Sequence, residues 1–190
     1  MMKKFSLIAA CCDNGGIGVN QKLPWRLKNE MNYFNRITTI TTSGGEGGDD
    51  GKRNAVIMGR KTWFSIPDKF RPLRDRVNLV VSRQLDGKIP IECDGVYASV
   101  ESAIEGASSM DSVDRIFIVG GEKIYQESLQ FPQCYRIYLT RIHAHFDCDT
   151  FFPKFDENLF QEITSDQVPQ GVQEENGLKY TFHLYERKET

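Results

Sequence analysis

The segment Lys22-Leu23-Pro24-Trp25-Arg26-Leu27-Lys28-Asn29-Glu30 sets one carboxylate a few residues after a Leu-Pro-Trp turn. Met31, Phe34 and Ile37 follow Glu30 at spacings of one, four and seven, a helical period, so the acid stands close to an apolar stripe. A carboxylate among apolar groups is costly unless it is partnered or used. Apolar surroundings also raise its proton affinity, which suits proton delivery. The structural alternative is a buried ion pair.

Further patterns place polar chemistry at the ends of apolar runs. Gly15-Gly16-Ile17-Gly18-Val19-Asn20 allows close backbone approach to a ligand, and an ordinary turn explains it equally well. Val56-Ile57-Met58-Gly59-Arg60-Lys61-Thr62-Trp63 reads as a strand, a tight glycine turn and a helix start with two cations and a hydroxyl. Free N–H groups there suit a phosphate, and a capped helix with a solvated basic end is the plain alternative. Val80-Val81-Ser82-Arg83 puts a hydroxyl and a guanidinium at a strand's carboxyl end, where ligands of open α/β sheets bind. Ile118-Val119-Gly120-Gly121-Glu122-Lys123-Ile124-Tyr125 is another strand end entering a helix through bare backbone, although Glu122 also suits the helix dipole structurally. Three such ends imply an extended ligand with several phosphates, such as a dinucleotide carrying an extra one. Arg76 opens a strand and could grip a carboxylate in bidentate fashion; a surface ion pair with Asp75 or another acid is its alternative reading.

The elements that must hold these groups follow from periodicity. Apolar runs at Phe5 to Cys12, Asn54 to Met58, Val77 to Val81, Gly95 to Ala98, Arg115 to Val119 and Arg136 to Ile142 read as strands buried on both faces. Helical patterns lie between them at Lys28 to Thr39, Lys61 to Ser65, Ser99 to Ala107 and Glu122 to Leu129, with Ser99 and Ser102 placed to form a capping box. Alternating strand and helix predicts an α/β fold. Tyr180 to Tyr185 alternates behind an Asn176-Gly177 turn, so an antiparallel strand is expected near the C-terminus. The expectation is one domain over 1–190, a mostly parallel twisted sheet of about eight strands with about four helices, and a Gly-rich surface loop at 43–52.

Composition narrows the classes. The 190 residues carry a formal charge of -2, and no basic run marks a nucleic-acid groove. No apolar stretch is long enough to cross a bilayer. The start, Met1 to Cys12, lacks a small-residue cleavage site and reads as the first strand rather than a signal peptide. Cysteines at 11, 12, 93, 134 and 148, with no Cys-x-x-Cys pair, suggest reduced thiols in a cytoplasmic protein. Cys11 and Cys12 have no nearby His as base, so core packing fits them better than thiol chemistry. His143 and His145 could share a strand face as metal ligands, but solvent-facing alternation explains them more simply, and no metal is expected.

Together these pieces resemble the dihydrofolate reductase family, in its eukaryotic form. The matching residues are Gly16-Ile17-Gly18, Leu23-Pro24-Trp25, Asn29-Glu30, Tyr33-Phe34, Val56 to Pro67, Arg71-Pro72-Leu73, Asn78 to Arg83, Ile118 to Gly121, Leu139 to Ile142, Asp149 to Pro153 and the tail around Gln173 to Tyr180. They cover almost the whole chain in the family's order, and the form expected is the monofunctional one, without a fused thymidylate synthase. The resemblance implies NADPH-dependent reduction of 7,8-dihydrofolate to tetrahydrofolate by a cytoplasmic monomer. Folate and antifolates such as methotrexate would be further ligands.

By resemblance, Glu30 holds the pterin and supports protonation at N5, Trp25 and Leu23 border it, Thr140 supports the acid, and Tyr125 lies beside the reacting rings. Ile8, Ala10, Met31, Phe34, Asn35, Ile66, Pro67, Phe70, Leu73 and Val119 would line the substrate. Arg76 would pair with the α-carboxylate of the substrate's glutamate. NADPH would meet Ala10, Gly16 through Lys22 (Ile17, Gly18, Val19, Asn20 and Gln21 between them), Gly59, Arg60, Lys61, Thr62, Val81, Ser82, Arg83, Gln84 and Val119. Its remaining edge would lie along Gly120, Gly121, Glu122, Lys123, Ile124 and Tyr125, with a cis Gly-Gly peptide. Arg60 stands where eukaryotic relatives often have lysine, and Met31 where an aromatic residue is common. Ala98 replaces a possible cation by the adenosine end, so preference for NADPH would rest on Arg60, Ser82 and Arg83.

Two other readings remain at this stage. A related reductase of another pterin or a pyrimidine would not need both Glu30 and Arg76. A non-catalytic nucleotide-binding module would bind NADPH without turnover.

Overall fold

A computed structural model describes residues 1–44, 50–84 and 92–189. The centre of the expected Gly-rich loop, 45–49, lies outside the described residues, while its flanks Ser43, Gly44 and Asp50 are exposed. In chain order the elements are β1 (Phe5–Cys11), β2 (Gly16–Gly18), α1 (Lys28–Thr39), β3 (Arg53–Gly59), α2 (Arg60–Ser65), a 3-10 turn (Asp68–Phe70), β4 (Arg76–Val81), β5 (Gly95–Tyr97) and α3 (Val100–Ser109). Then come β6 (Val113–Ile118), α4 (Glu122–Ser128), β7 (Cys134–Ile142), β8 (Thr150–Phe151), β9 (Phe160–Ile163), β10 (Gln173–Glu175) and β11 (Leu178–Arg187).

The main sheet runs β10-β11-β7-β1-β6-β3-β4-β5, with β9 also paired to β11. From β7 to β5 every pairing is parallel, whereas β11 is antiparallel to β7, β9 and β10. The apolar runs are strands because alternate side chains have a hydrophobic destination on each face. Leu7, Ile57 and Leu79 pack with Val100, Ala103, Ile104 and Ala107 of α3. Their chain neighbours Ile8, Val56 and Val80 pack on the other face with Tyr33 and Ile37 of α1 and Trp63 of α2.

Local chemistry sets the element ends. Ser99 and Ser102 form the expected capping box at α3, the Ser99 hydroxyl accepting from the Ser102 N–H at 3.0 Å. Asn176 (φ 51°) and Gly177 (φ 73°) make the two-residue turn joining β10 to β11, with Glu175 opposite Leu178. Both central residues need positive φ, which Asn and Gly accept most readily. The stripe on α1 differs from the sequence expectation. Glu30, Tyr33 and Ile37 are buried together, whereas Met31 is 42 % exposed. The acid therefore lies on the buried face itself.

Four strands escaped the periodicity. β2 and β8 are two or three residues long and pair with each other in a separate ribbon. The glycines read as a turn thus include a ladder. An added Cβ on Gly16 would meet the Cys148 Sγ at 2.3 Å, so glycine is required by close approach. β9 and β10 are rich in polar residues and are strands only because β11 offers its edges. The histidine pair also differs: β7 ends at Ile142, so His143 and His145 follow the strand. His143 Nε2 lies 3.0 Å from the Thr181 hydroxyl, and His145 lies 3.5 Å from Asp147. Among the described residues no helix is long and apolar enough to cross a membrane.

A buried amide locks α1 to the sheet. Asn54, fully buried on β3, donates to the carbonyls of Thr38 (3.0 Å) and Ile40 (2.8 Å) and accepts from the Arg115 N–H (3.1 Å). Carbonyls at a helix C-terminus lack intrahelical donors, so this side chain satisfies groups the helix cannot. Asn54→Ala is expected to destabilise the fold by about 2–4 kcal/mol, because buried polar groups lose their partners. Urea unfolding tests this. A midpoint shift worth less than ~0.5 kcal/mol at unchanged slope contradicts the role given to Asn54.

Candidate active site

Glu30 lies in the first turn of α1 and is 7 % exposed. The Thr140 hydroxyl on β7 donates to its Oε1 at 3.1 Å. Burial raises the Glu30 pKa from 4.5 to about 7, the Thr140 hydrogen bond opposes the rise, and the Glu175 carboxylate adds to it. A group balanced between protonated and ionised forms near neutral pH can take up and release a proton during a reaction. Trp25 is buried nearby in a cluster with Leu27, Ile142 and Tyr180, and its indole N–H has no partner. Ala10 pairs directly with Thr140 across β1 and β7. Tyr125, on α4, donates from its hydroxyl to the Ile8 carbonyl at 2.7 Å, tying the start of α4 to the central strand. Burial raises the Tyr125 pKa, leaving this hydroxyl a donor.

Arg76 sits at the opposite end of α1. It is 6 % exposed, so the surface ion pair with Asp75 is excluded. Its Nε donates to the Arg74 carbonyl at 2.8 Å, and its Nη1 to Asn35 Oδ1 at 3.2 Å and Thr38 Oγ1 at 2.9 Å. The Phe34 ring lies 5.9 Å from the guanidinium carbon. Burial lowers the Arg76 pKa to about 10, with Asp75 opposing, so the group stays cationic at neutral pH. Among the described residues no carboxylate oxygen lies within 4.0 Å of it. A buried cation held only by neutral acceptors is poised for an anionic partner.

The apolar residues expected at the substrate site belong largely to one cluster. Phe34, Ile66, Leu73 and Val119, half-buried, pack against one cluster with Ile8, Tyr33 and Met58. Leu73 is held by a residue that sequence reasoning left without a role. Asn78, fully buried on β4, accepts from the Leu73 N–H at 2.9 Å and donates to the Leu73 carbonyl at 2.8 Å and the Arg76 carbonyl at 3.1 Å. Its signal in the sequence was a polar residue inside an apolar strand. Leu23 (49 % exposed), Phe70 (57 %) and Pro67 remain at the surface with Met31. They form a rim, apart from the buried cluster.

Most of the positions expected from the sequence to meet a cofactor gather at the carboxyl ends of β3, β4 and β6. The Gly59 N–H donates to the Gly120 carbonyl at 2.8 Å, bringing two of these ends together. The Gly120-Gly121 peptide is cis, and Gly120 has φ +119°, a conformation that disfavours a side chain. An added Cβ on Gly59 would stand 3.2 Å from Ile124, and one on Gly121 would stand 3.4 Å from Thr62 Oγ1. Bare backbone thus lines this junction. Arg60 hydrogen-bonds Gln84, Ser82 donates to the Gln84 carbonyl at 3.1 Å, and Arg83 pairs with Glu127 at 3.3 Å. Lys61 is exposed beside them. Cations, hydroxyls and unobstructed N–H groups fit a phosphate-bearing dinucleotide.

Between Gly16 and Lys22 the chain makes a tight turn. Val19 and Lys22 exchange backbone hydrogen bonds at 2.9 and 3.0 Å around Asn20 (φ 50°) and Gln21 (φ 60°). Asp149 holds the turn, its Oδ2 accepting from the Asn20 N–H at 2.9 Å. Its role was hidden because the partners are distant in sequence. Ile17 and Ile124 both pack against the cluster on the α3 side of the sheet. Among the described residues no group of three acidic, Cys or His side chains could hold a metal ion, and none of the five cysteines is joined in a disulfide.

Comparison with known proteins agrees with this geometry. The model of the family described as dihydrofolate reductase matches residues 4–187. A dihydrofolate reductase from Heliothis virescens is 44% identical over 186 residues, covering 97% of each chain. The enzyme of that name from Mus musculus is 43% identical over 194 residues and is covered completely, as is this chain. Among solved structures, Schistosoma mansoni dihydrofolate reductase superposes with a TM-score of 0.83 at 35% identity, covering 99% of this chain and 100% of its own.

Glu30 has a consequence for stability that a titration can check. Its folded pKa of about 7 exceeds the ordinary 4.5, so the native state binds the proton more tightly than the unfolded chain. Its contribution is favourable below the unfolded value and is lost as pH rises through about 7. Glu30→Gln is therefore expected to stabilise the ligand-free protein above neutral pH by on the order of 2 kcal/mol and to be near neutral at acid pH. Parallel unfolding curves at both pH values, with the variant never gaining, would sink this assignment.

Proposed function

From the premise that the chain belongs to the dihydrofolate reductase family and reduces 7,8-dihydrofolate to tetrahydrofolate with NADPH, we propose that Glu30 and Arg76 grip the two ends of the substrate. The observation that carries this is their shared burial, with no counter-charge in direct contact among the described residues. Glu30 accepts from the amino group and adjacent ring nitrogen of the pterin. Its proton affinity near neutral pH supports protonation at N5, and Trp25 helps order the water beside it. Thr140 fixes the carboxylate, and Tyr125 fixes the end of the sheet beneath the reacting rings.

Arg76 takes the α-carboxylate of the substrate's glutamate. Asn35 supports its guanidinium, while Phe34, Ile66 and Leu73 enclose the benzoyl ring and Ile8, Ala10 and Val119 border the pterin. Met31, Leu23, Pro67 and Phe70 form the outer wall. NADPH, when bound, supplies the hydride that C6 of the pterin accepts. The chain's part is to align the two ligands and exclude bulk water. Gly16 to Lys22, Gly59 to Thr62, Val81 to Gln84 and Gly120 to Tyr125 are the residues that would hold NADPH. The protein acts as a cytoplasmic monomer, one domain over 1–190, and antifolates compete at the pterin end.

Loss of NADPH absorbance in the presence of dihydrofolate measures the reaction. Glu30→Ala is expected to lower turnover by about 10²- to 10⁴-fold, the usual range for a positioned acid–base group. Near-normal turnover at neutral pH refutes its role. Arg76→Leu should leave turnover largely intact and raise KM for dihydrofolate about 100-fold, as a charge-assisted carboxylate contact is lost. An unchanged KM counts against the assignment. In the unmodified protein, hydride transfer should slow as pH rises through about 7 and Glu30 loses its proton.

A further inference from the structure

We infer that Glu175 is a positioning residue for Glu30: from the end of β10 its carboxylate holds the first turn of α1 and sets how readily Glu30 takes its proton. This rests on the role proposed for Glu30. α1 starts without a local cap, because Leu27 occupies the N-cap position and has no side-chain acceptor. Its free N–H groups are satisfied from the far end of the chain. Lys28 N–H donates to Glu175 Oε2 at 3.0 Å, and Asn29 N–H donates to Glu175 Oε1 at 2.9 Å. Both carboxylate oxygens are thus used on the two residues that immediately precede Glu30. The next residue of the turn contributes as well, Asn176 Nδ2 donating to the Arg26 carbonyl at 2.9 Å. A fixed β-hairpin turn therefore determines where α1 begins and how its first turn faces the sheet.

The same contact brings negative charge close to Glu30. The groups that bear on Glu30 are Thr140 from β7, Tyr33 on α1, Tyr125 from α4, Tyr180 from β11 and Glu175 from β10. None of them is a cation, and Glu175 is the carboxylate among them. Its field favours the protonated form of Glu30, in the same sense as burial. Capping the helix with a carboxylate also neutralises the positive end of the helix dipole, which would otherwise favour ionised Glu30.

Glu175→Gln keeps the shape and removes the charge. Carboxyl carbon NMR of the ligand-free protein, with the Glu30 signal assigned through Glu30→Gln, reads the titration directly. The Glu30 midpoint is expected to fall by about half a pH unit in Glu175→Gln, the effect of one nearby screened charge. Glu174→Gln, on the neighbouring exposed carboxylate, should leave it in place. Amide exchange at Lys28 and Asn29 should accelerate about tenfold in Glu175→Gln as the first turn loosens. An unmoved Glu30 midpoint overturns the inference, whatever the change in stability or turnover. If the NMR midpoint moves and the pH dependence of hydride transfer does not, the positioning by Glu175 stands and the proton role of Glu30 falls.

Discussion

Two opposite charges withdrawn from water, each without a counter-ion at its side among the described residues, are the constraint on which this structure turns. Glu30 has a threonine hydroxyl and Arg76 has neutral oxygens. Either group alone would be a liability in a hydrophobic setting. α1 keeps them apart. Glu30 lies in its first turn, while Asn35 and Thr38, which hold Arg76, lie five and eight residues later. At about 1.5 Å per residue that is roughly 8–12 Å along the axis. The helix acts as a ruler between an acid and a guanidinium, and its Tyr33 and Ile37 belong to the apolar cluster beside it. A ligand with a hydrogen-bond donor pair at one end, a carboxylate at the other and flat rings between them satisfies all three demands.

The remainder of the architecture keeps that ruler in place. Asn54 clamps its C-terminal carbonyls to β3 and β6, and Glu175 holds its N-terminal amides. Asn78 fixes the loop that carries Leu73 toward Arg76. Each is a polar side chain completing the hydrogen bonding of backbone that regular structure leaves unmatched. The parallel strands contribute differently. Their carboxyl ends lie side by side, so that the residues proposed for the cofactor on β3, β4 and β6 share one edge, where glycine removes the side chains that would obstruct a flat ligand.

Much of this was legible because its causes are local. The buried strands were visible as β-branched runs, the α3 cap as Ser99 and Ser102, and the hairpin turn as Asn176-Gly177. Glu30 and Arg76 stood out as charges beside apolar sequence. What stayed hidden depends on partners far along the chain. Nothing near Leu27 announces that α1 is capped by residue 175, and nothing in Gln173-Glu174-Glu175 reads as a strand. Met31 matched the helical stripe by spacing yet lies at the open rim, because periodicity gives the face of a helix and the surroundings decide which flank is covered.

The hydrogen bonds from Lys28 and Asn29 to Glu175 also bear on how the protein is made. A ribosome releases the chain from its N-terminus, so α1 emerges long before the side chain that completes its first turn. β11, which pairs with the whole inner length of β7 from Ile142 to Arg136, is synthesised later still. The sheet from β1 to β7 can assemble during translation, but the acid-bearing end of the cleft is finished only when the final strands return to it. The nascent protein therefore completes the acid-bearing turn of α1 last, and a molecule interrupted before residue 175 would lack both the carboxylate that holds that turn and the core residues Tyr180 and Leu184 of β11.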